Sequence, residues 1–347
     1  MRSEALSHAR MAQQDPPSSP TEHRPQLRYE PGAPHMYLRD VVREGVLRQP
    51  RDELISVDTP IFTIGSCFAN EIAAFLVRND IGVLNPTLPA DSLPLFHERS
   101  REKSSWGEWD GRSNLQYYNT FSIRQEIERA AGMWSSDGDD VWEVTLSGQT
   151  LFQCPYRRRI FCRGKSDLQE LTKIIDGRVR QGLMESAIVI VTLGLTEVWR
   201  KTNDGRIACC EPGYCKGGGH AETEFMASTY SQNYENVAAT LRCLREHFGL
   251  ERVVLTVSPV RLGRTFRDLD VVLANMESKS ILRAVAGRIA ADFDEVIYFP
   301  SYEMCALDPS SWQPDGRHVR STKVDQIMRF FLACHGTDDA QPVESPP

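Results

Sequence analysis

Two nucleophilic side chains stand next to each other at the end of an apolar run. Ser66 and Cys67 directly follow the run Ile61 to Ile64 and the glycine Gly65. A short apolar run of this kind is typical of a buried strand, and a glycine at its end allows a sharp turn. Apolar residues then recur at helical spacing, so Ser66 is expected to cap a helix and Cys67 to lie in its first turn. At that position the helix dipole favours an anion and lowers the pKa of a thiol.

A possible proton-transfer pair lies near the other end of the chain. Asp315 and His318 stand three residues apart, and Gly316 between them lets the loop bend. In hydrolase triads a histidine deprotonates the nucleophile while a carboxylate fixes the histidine's tautomer. A single loop histidine is often just solvent-exposed. Together with the first segment, however, the pair predicts a triad in which His318 is the base and Asp315 orients it.

Several short blocks of this sequence resemble the GSCFA family. Gly65 to Ala69 spells the signature Gly-Ser-Cys-Phe-Ala itself. Later blocks that look like those of the family follow in the expected order: Val257 to Arg261, Asn275 with Ser278 to Ser280, Phe299 to Glu303, and Asp315 to His318. The resemblance covers residues 55–335 and implies a fold similar to that of the SGNH (GDSL-type) hydrolases, a three-layer flavodoxin-like parallel sheet. Most such enzymes cleave or transfer acyl groups, so the resemblance implies acyl chemistry without naming a substrate.

The resemblance leaves open which side chain attacks the substrate. Aligned without gaps to the Gly-Asp-Ser block of SGNH enzymes, Gly65 matches the glycine, Ser66 the aspartate and Cys67 the catalytic serine. A shift by one residue would make Ser66 the nucleophile and Cys67 a small buried neighbour, as most cysteines are. A third interpretation is a purely structural turn. Cys67 is favoured, because a helix N-terminus activates a thiol directly whereas a serine needs a positioned base.

The oxyanion hole departs from the SGNH pattern. Those enzymes usually combine backbone N–H groups with an asparagine side chain, because the tetrahedral intermediate needs several preorganised donors. In this chain Gly194 and Thr196 follow an apolar run where the asparagine-bearing block is expected, and Thr196 takes the asparagine's place. Asn85 or Asn119 could supply the amide instead. This departure puts efficient hydrolysis in question more than the fold.

A glycine-rich loop carries the residues that most resemble metal ligands. Cys210, Cys215 and His220 superficially resemble a zinc site. Structural zinc sites more typically pair cysteines two to four residues apart and need four ligands. We therefore expect free thiols in this loop, and no metal or cofactor.

Two further groups of polar residues lie outside the triad. Asn275, Ser278 and Lys279 could form a polar network near the site or simply the solvated face of a helix. The run Arg157 to Arg159 is interpreted as a solvated strand end or loop, as charge runs usually are.

The elements that must position these residues follow from alternating apolar patterns. Short apolar runs predict strands at 61–64, 187–192, 253–257 and 296–299. Helical patterns lie near 68–79, 165–183, 228–248, 268–291 and 321–334. This alternation predicts an α/β fold, in which helices cover both faces of a parallel sheet.

A tryptophan-rich stretch at residues 84–165 interrupts the alternation. It has a helical pattern near 121–131, and a hairpin is predicted at 141–153 with its turn near Ser147 and Gly148. Four of the six tryptophans fall in it: Trp106, Trp109, Trp134 and Trp142. We expect an insertion that covers the carboxyl ends of the strands, where ligands enter open α/β sheets. Its aromatic residues either line a pocket or, as is more usual, pack the insertion.

Composition is compatible with one such domain. The chain has 347 residues, 41% of them hydrophobic, which is enough for a single α/β domain with an insertion. Its net charge of -7 argues against a nucleic-acid binder, which needs a basic surface. Residues 1–35 are polar and proline-rich, and 336–347 resemble them, so we expect disordered tails around a domain at 55–335.

Cysteine usage and hydropathy indicate the compartment. No segment approaches the ~18 consecutive apolar residues of a membrane span, and the N-terminus lacks the apolar core of a secretory signal. Nine cysteines, an odd number, are typical of thiols in a reducing compartment. We therefore expect a cytoplasmic protein.

These observations predict an acyl ester or thioester hydrolase that works through a covalent acyl-enzyme. Its substrate would be a small-molecule or carrier-bound acyl compound. An acyltransferase with the same mechanism is the first alternative, favoured if the insertion shields the intermediate from water. The second alternative is a noncatalytic binding module that kept the fold. It stays open because Thr196 stands where SGNH enzymes have the oxyanion-hole asparagine. The sequence does not predict the oligomeric state.

Overall fold

The predicted apolar strands lie side by side in one parallel sheet. The computed structural model describes residues 51–86, 115–136, 140–158 and 160–341, except 147, 210 and 213–221, together with Leu47 and Gln49. All of them belong to the unit Val46–Pro347. The strands are β1 (Ile61–Gly65), β2 (Trp142–Leu146), β3 (Gln149–Gln153), β4 (Phe161–Cys162), β5 (Ile188–Leu193), β6 (Glu197–Lys201), β7 (Ile207–Ala208), β8 (Thr223–Ala227), β9 (Val253–Val257) and β10 (Val296–Phe299). The α-helices are α1 (Cys67–Arg78), α2 (Thr120–Ala130), α3 (Lys165–Glu185), α4 (Tyr230–Phe248), α5 (Val271–Asp292), α6 (Ser301–Ala306) and α7 (Ser321–His335).

The central sheet has the strand order β1-β5-β9-β10. All three neighbouring pairs are parallel. Every residue of β1, β5 and β9 is buried. These strands are covered on both faces, which explains why they read as continuous apolar runs rather than as alternating patterns.

Helices pack on both faces of this sheet and form two hydrophobic cores. On one face, side chains such as Phe62, Val189 and Leu255 pack with apolar residues of α2, α3, α4 and α5. On the other face, Ile190 and Val254 pack with α1 and α7. Adjacent strand residues point to opposite faces, so one strand serves both cores. The predicted α/β architecture, a parallel sheet flanked by helices, is therefore confirmed. Across the described residues, no helix combines the length and hydrophobicity of a transmembrane span.

The stretch predicted as an insertion contributes a helix and an antiparallel sheet. The predicted helix near 121–131 is α2, and the predicted hairpin is the antiparallel pair of β2 and β3. Strand β4 adds to β3 and completes a three-stranded sheet. A second small sheet, of order β7-β6-β8, follows β5 and has no counterpart in the sequence prediction. Trp106 and Trp109 lie outside the described residues.

The C-terminal segment returns to the start of the domain. Residues 336–341 open the stretch predicted as a tail, and here the backbone N–H of Thr337 donates to the carbonyl of Ile55 at 2.8 Å. A 3₁₀ turn at Asp338–Ala340 follows. Residues 1–35 and 342–347, also predicted as tails, lie outside the described residues.

Candidate active site

A glycine with an unusual backbone conformation ends β1 and turns the chain into α1. Gly65 has φ +135, a value that side-chain-bearing residues rarely adopt. A Cβ at this position would collide with the backbone and hydroxyl of Thr192 in β5. The close approach of the two strands therefore requires glycine, and it fixes where α1 begins.

Ser66 serves as the cap of α1. Its side-chain Oγ accepts a hydrogen bond from the N–H of Phe68 at 3.2 Å, and its own N–H donates to Thr192 Oγ1 at 2.9 Å. The residue is only 2% exposed. Ser66 is thus a buried structural hydroxyl, whereas the adjacent Cys67 is a free, partly exposed thiol. Of the two candidates, Cys67 is the more exposed residue.

Cys67 lies among several charged groups. Burial raises the pKa of its thiol, and the positive charges of Arg317, Arg158 and Lys279 lower it in part. Glu71 raises it further. The net shift is upward, so the sequence-based expectation of a lowered thiol pKa is wrong. Desolvation at the start of α1 outweighs the helix dipole and the nearby cations.

Lys279 is the most unusual of these cations. Its side chain is fully buried, at 0% exposure, and its Nζ donates to the carbonyl oxygen of Gly194 at 2.7 Å. Burial, together with the charge of Arg317, lowers its pKa to about 7, although Cys67 acts in the opposite direction. A lysine with a pKa near neutrality can hold or release a proton under physiological conditions.

Lys279 belongs to a buried polar face of α5. The Ser278 Oγ accepts the N–H of Thr196 at 3.0 Å, and the Asn275 Oδ1 accepts the N–H of Leu262 at 2.9 Å. All three side chains of this face are buried. Of the two interpretations of Asn275, Ser278 and Lys279, the solvated face is wrong, because these buried side chains bond the backbone of the loops after β5 and β9.

Asp315 and His318 form the hydrogen-bonded pair that the sequence predicts. His318 Nδ1 lies 2.5 Å from Asp315 Oδ2, and both side chains are about half exposed. Asp315 Oδ1 also accepts the backbone N–H groups of Arg317 and His318. These hydrogen bonds, first of all the one from His318, hold the pKa of Asp315 well below its usual range. Because a carboxylate only accepts, Nδ1 carries the proton and Nε2 of the neutral ring is free to act as a base.

The pair lies at the carboxyl end of the sheet. The Nε of Arg317, next to His318, donates at 3.1 Å to the carbonyl of Arg261, which follows β9. The charge of Arg317 also reaches the thiol of Cys67. In the described ranges, no hydrogen bond joins His318 to Cys67 or Ser66. The structure therefore brings the pair to the nucleophile's edge of the sheet without direct contact.

Asn119 and Asn85, the candidate amide donors, have different surroundings. Asn119 caps α2, because its Oδ1 accepts the N–H of Ser122 at 2.8 Å. This bond fixes the orientation of the amide, so its Nδ2 remains as a hydrogen-bond donor. Asn119 also lines a cavity. Asn85, by contrast, bonds Thr63 in the middle of β1 through both Oδ1 and Nδ2. Of the two amides, that of Asn119 belongs to a cavity-lining residue, and that of Asn85 completes the edge of the sheet.

Gly194 and Thr196, the other oxyanion candidates, follow β5. A Cβ at Gly194 would collide with the carbonyl oxygen of Tyr118, so glycine lets the two loops meet. Thr196 is 3% exposed, with its N–H bound to Ser278 and its carbonyl accepting from the N–H and hydroxyl of Ser228. The Thr196 backbone is thus part of the framework of the site.

A cavity of about 360 Å³ adjoins this edge of the sheet. Its lining includes Asn119, Arg158, Trp199, Phe266 and Arg317. The charges of both arginines act on Cys67, so the cavity shares these two cations with the surroundings of the thiol, although Cys67 and His318 do not line it.

The sequence-based interpretation of Arg157 and Arg158 as solvated is wrong. The Arg157 side chain is fully buried and pairs with Glu126 and with Asp176, the latter at 2.6 Å. Arg158 is 9% exposed and lines the cavity. The carboxylates that compensate Arg157 come from α2 and α3, which a local charge run does not reveal. Arg159 lies outside the described residues.

Two of the four tryptophans of the insertion can be placed. The Trp134 Nε1 donates to the carbonyl of Gln125 at 2.9 Å, and Trp142 is buried in a small core with β3 and β4. These two tryptophans therefore pack the insertion, and neither lines the cavity.

No metal-binding group is found in the part of the chain that the structure describes. Cys210, Cys215 and His220, the residues with a superficial likeness to zinc ligands, lie outside that part.

Comparison with known proteins identifies a family. The sequence profile of the GSCFA family matches residues 60–331, which include both Cys67 and the Asp315–His318 pair. No curated protein matches the chain.

Proposed function

This chain belongs to the GSCFA family, and from that membership and the geometry of its site we propose that it is an acyl ester or thioester hydrolase with a covalent acyl-enzyme intermediate. One observation carries the proposal. Cys67, a partly exposed residue, begins α1 within the field of three cations, at the sheet edge that also holds a carboxylate–histidine pair. This is the set of groups that nucleophilic acyl transfer requires.

We propose further that the fold is of the SGNH type. In support, the nucleophile follows the first strand of a parallel sheet and the base with its orienting carboxylate shares one loop after the last strand. The sheet also lies between two helical layers. In such a sheet, ligands bind at the carboxyl ends of the strands, where these residues lie.

In the first half of the proposed reaction, the Cys67 sulfur attacks the acyl carbonyl carbon and the thiol proton passes to His318. Because burial raises the thiol pKa, the resting thiol is protonated and needs this base. The Nδ2 of Asn119 and the backbone N–H of Cys67 donate to the oxyanion of the tetrahedral intermediate. His318 then protonates the departing alcohol or thiol, which leaves a thioester on Cys67.

The second half repeats these roles with water. His318 takes a proton from a water molecule, whose oxygen attacks the thioester carbonyl. The carbon–sulfur bond breaks, the carboxylic acid leaves, and the sulfur recovers its proton. An acceptor alcohol or amine in place of water would give acyl transfer by the same steps.

Intact-mass spectrometry tests the proposal. The full chain is treated with p-nitrophenyl acetate and with a panel of acyl-CoA thioesters, and adducts are mapped to residues by peptide analysis. We expect an acyl adduct on Cys67, no adduct in Cys67→Ala, and an unchanged adduct in the control Cys209→Ala, whose cysteine lines the neighbouring cavity. Release of the acyl group to water or to an added acceptor distinguishes hydrolase from transferase.

Ser66→Ala completes the test. It removes the cap of α1 and should lower the free energy of unfolding by about 0.5 to 2 kcal/mol while the adduct still forms. An adduct on Ser66 that survives Cys67→Ala would transfer the role to the serine. A folded protein that forms no adduct with any of these substrates would contradict enzymatic acyl transfer.

A further inference from the structure

Arg317 presents its guanidinium to the cavity without a protein counter-ion. Its backbone N–H donates to Asp315 and its Nε to the carbonyl of Arg261. Among the residues that the structure describes, no carboxylate pairs with its side chain, and its terminal nitrogens make no hydrogen bond. These two nitrogens are the part of Arg317 that can bind a ligand in the cavity.

Arg158 is a second cation of the same cavity and is held rigidly. Its NH1 donates to Gln116 Oε1 at 3.1 Å and also to the Tyr118 hydroxyl. The guanidinium lies 5.0 Å from the centroid of the Tyr118 ring, in cation–π geometry. A buried arginine that is fixed in this way needs little reordering on binding, so it can recognise an anion at low entropic cost.

The glutamates of the cavity are already engaged by protein donors. Glu197 accepts the hydroxyl of Thr265 at 2.5 Å and the N–H of Phe266 at 3.2 Å. Glu211 pairs with Arg264. Of the three arginines in the lining, Arg317 is the one whose side chain makes no ion pair among the residues that the structure describes, and its Nε donates to a backbone carbonyl. Buried or half-buried charge of this kind is stable when an anion neutralises it.

One wall of the cavity is aromatic and apolar. Trp199 and Phe266 pack edge to face with their ring centroids 5.0 Å apart, and Leu195 and Leu262 also line the cavity. A ligand that suits these walls has an apolar body and an anionic group, the first against the rings and the second on the arginines.

We propose that this cavity binds an anionic group of the acyl substrate, a carboxylate or a phosphate, with Arg158 and Arg317 as its ligands. The inference rests on the proposed function only where it calls the ligand a substrate. The anion site itself is inferred from the residues that line the cavity. Guanidinium groups bind both anions through paired, charge-assisted hydrogen bonds, so the two are alternatives of one chemistry. The anion would then lie beside Cys67, where it places the substrate carbonyl at the thiol.

Alkylation of Cys67 by matched reagents tests the site without any turnover. Iodoacetate is anionic and iodoacetamide neutral, and both react only with the thiolate, so the ratio of their rates does not depend on the thiol pKa. We measure this ratio at Cys67 by peptide mass spectrometry and compare it with the ratio for glutathione. A positive site should raise the ratio at Cys67 roughly tenfold or more.

Variants assign the effect to the two arginines. Arg317→Gln should bring the ratio down towards that of glutathione, and Arg317→Lys should retain most of it because the charge remains. Arg288→Gln is the matched control, since Arg288 is an exposed partner of Asp292 on α5. Arg158→Gln should lower the ratio as Arg317→Gln does. If the Arg158 variant does not fold, the comparison of Arg317→Gln with Arg317→Lys is sufficient to test the site. A wild-type ratio equal to that of glutathione overturns the proposal.

Protection experiments separate the two anions. At constant ionic strength, succinate or inorganic phosphate should slow the alkylation of Cys67 by iodoacetamide, whereas sodium chloride should not. Protection by succinate alone assigns a carboxylate, and protection by phosphate alone assigns a phosphate. Protection that persists in Arg317→Gln, or no protection by either anion, contradicts the site. Since no acyl adduct is needed, failure of this test and failure of the proposed function are seen separately.

Discussion

Cys67 and Lys279 influence each other's charge state at the start of α1. Burial raises the pKa of the thiol and lowers that of the ammonium, so each group alone favours its neutral form. Each also favours the charged form of the other, because a thiolate beside an ammonium is an ion pair. The positive charge of Lys279 therefore lowers the pKa of the Cys67 thiol, although burial of the thiol remains the larger effect.

Lys279→Met should make Cys67 less reactive. The positive charge of Lys279 lowers the thiol pKa, so its loss raises that pKa and moves the pH profile of alkylation to higher pH. The measurement is the rate of iodoacetamide modification at Cys67 from about pH 6 to about pH 11, a range that extends above the usual pKa of a thiol because burial raises the pKa of this one. Lys279→Arg keeps a charge and should shift the profile less than Lys279→Met, provided both variants fold. A profile that stays in place, or moves to lower pH, contradicts this coupling.

Asn119→Asp should separate the cap of α2 from the oxyanion donor. The aspartate retains an oxygen that accepts the N–H of Ser122, so the free energy of unfolding should change little. It lacks the Nδ2 donor, and loss of one oxyanion donor typically costs ~100- to 1000-fold in turnover. Asn119→Ser, a neutral residue that also caps helices, should show the same loss. Both rates are measured with p-nitrophenyl acetate.

Asn85 and Thr196 provide the comparison. Asn85→Ala should destabilise the edge of β1 without a specific loss of turnover, because Asn85 bonds Thr63 through its amide. Thr196→Asn should leave turnover unchanged if Asn119 fills the oxyanion hole. A gain of activity in Thr196→Asn, together with full activity in Asn119→Asp, would move the missing donor to position 196.

At the scale of elements, α5 is the part that joins the loops of the site. Its polar face contacts the loop after β5 through Lys279 and Ser278, and the loop after β9 through Asn275. The same helix packs its apolar side, with Leu282 and Val285, against the sheet. A helix that is buried on its polar face as well as its apolar one can hold neighbouring loops in a fixed register.

Ser278→Ala should test this role. The change leaves the N–H of Thr196 buried without an acceptor, which costs about 1 to 3 kcal/mol. Urea unfolding followed by circular dichroism measures the loss. Ser280→Ala, at an exposed position on the same helix, is the control and should be nearly neutral. Equal stabilities of the two variants would mean that Ser278 does not hold the loop.

The elements themselves were predictable because each carries its own periodicity. Local apolar patterns predict the four strands of the central sheet and the five longest helices that the structure describes. Local turn and cap chemistry predicts the turn at Gly65 and the helix cap at Ser66. The buried roles of Arg158 and Lys279 could not be predicted in this way. Both depend on groups that are distant in the chain, such as Gln116 for Arg158 and Gly194 for Lys279. A local pattern shows which residues are polar but not which loops meet.

At the scale of the whole molecule, the site is assembled from both ends of the domain. The proposed nucleophile Cys67 follows β1, the first strand, and the Asp315–His318 pair precedes α7, the last α-helix that the structure describes. Helices α1 and α7 share one hydrophobic core, so the packing of that core ties the two segments together. The proposed catalytic geometry therefore depends on the complete sheet and not on one local motif.

Replacement of the loop pair should reveal whether this assembly is catalytic. Asp315→Asn keeps the size of the side chain but no longer forces the proton onto His318 Nδ1, and the loss of a triad carboxylate can reduce turnover by roughly 10⁴-fold. His318→Ala should be similarly slow, whereas His247→Ala, at the end of α4, should be neutral. Both side chains of the pair are half exposed, so the thermal unfolding temperature of the variants should stay close to that of the wild type. A folded His318→Ala that keeps full turnover with p-nitrophenyl acetate would remove His318 as the base and leave Lys279, with its pKa of about 7, as the group to test next.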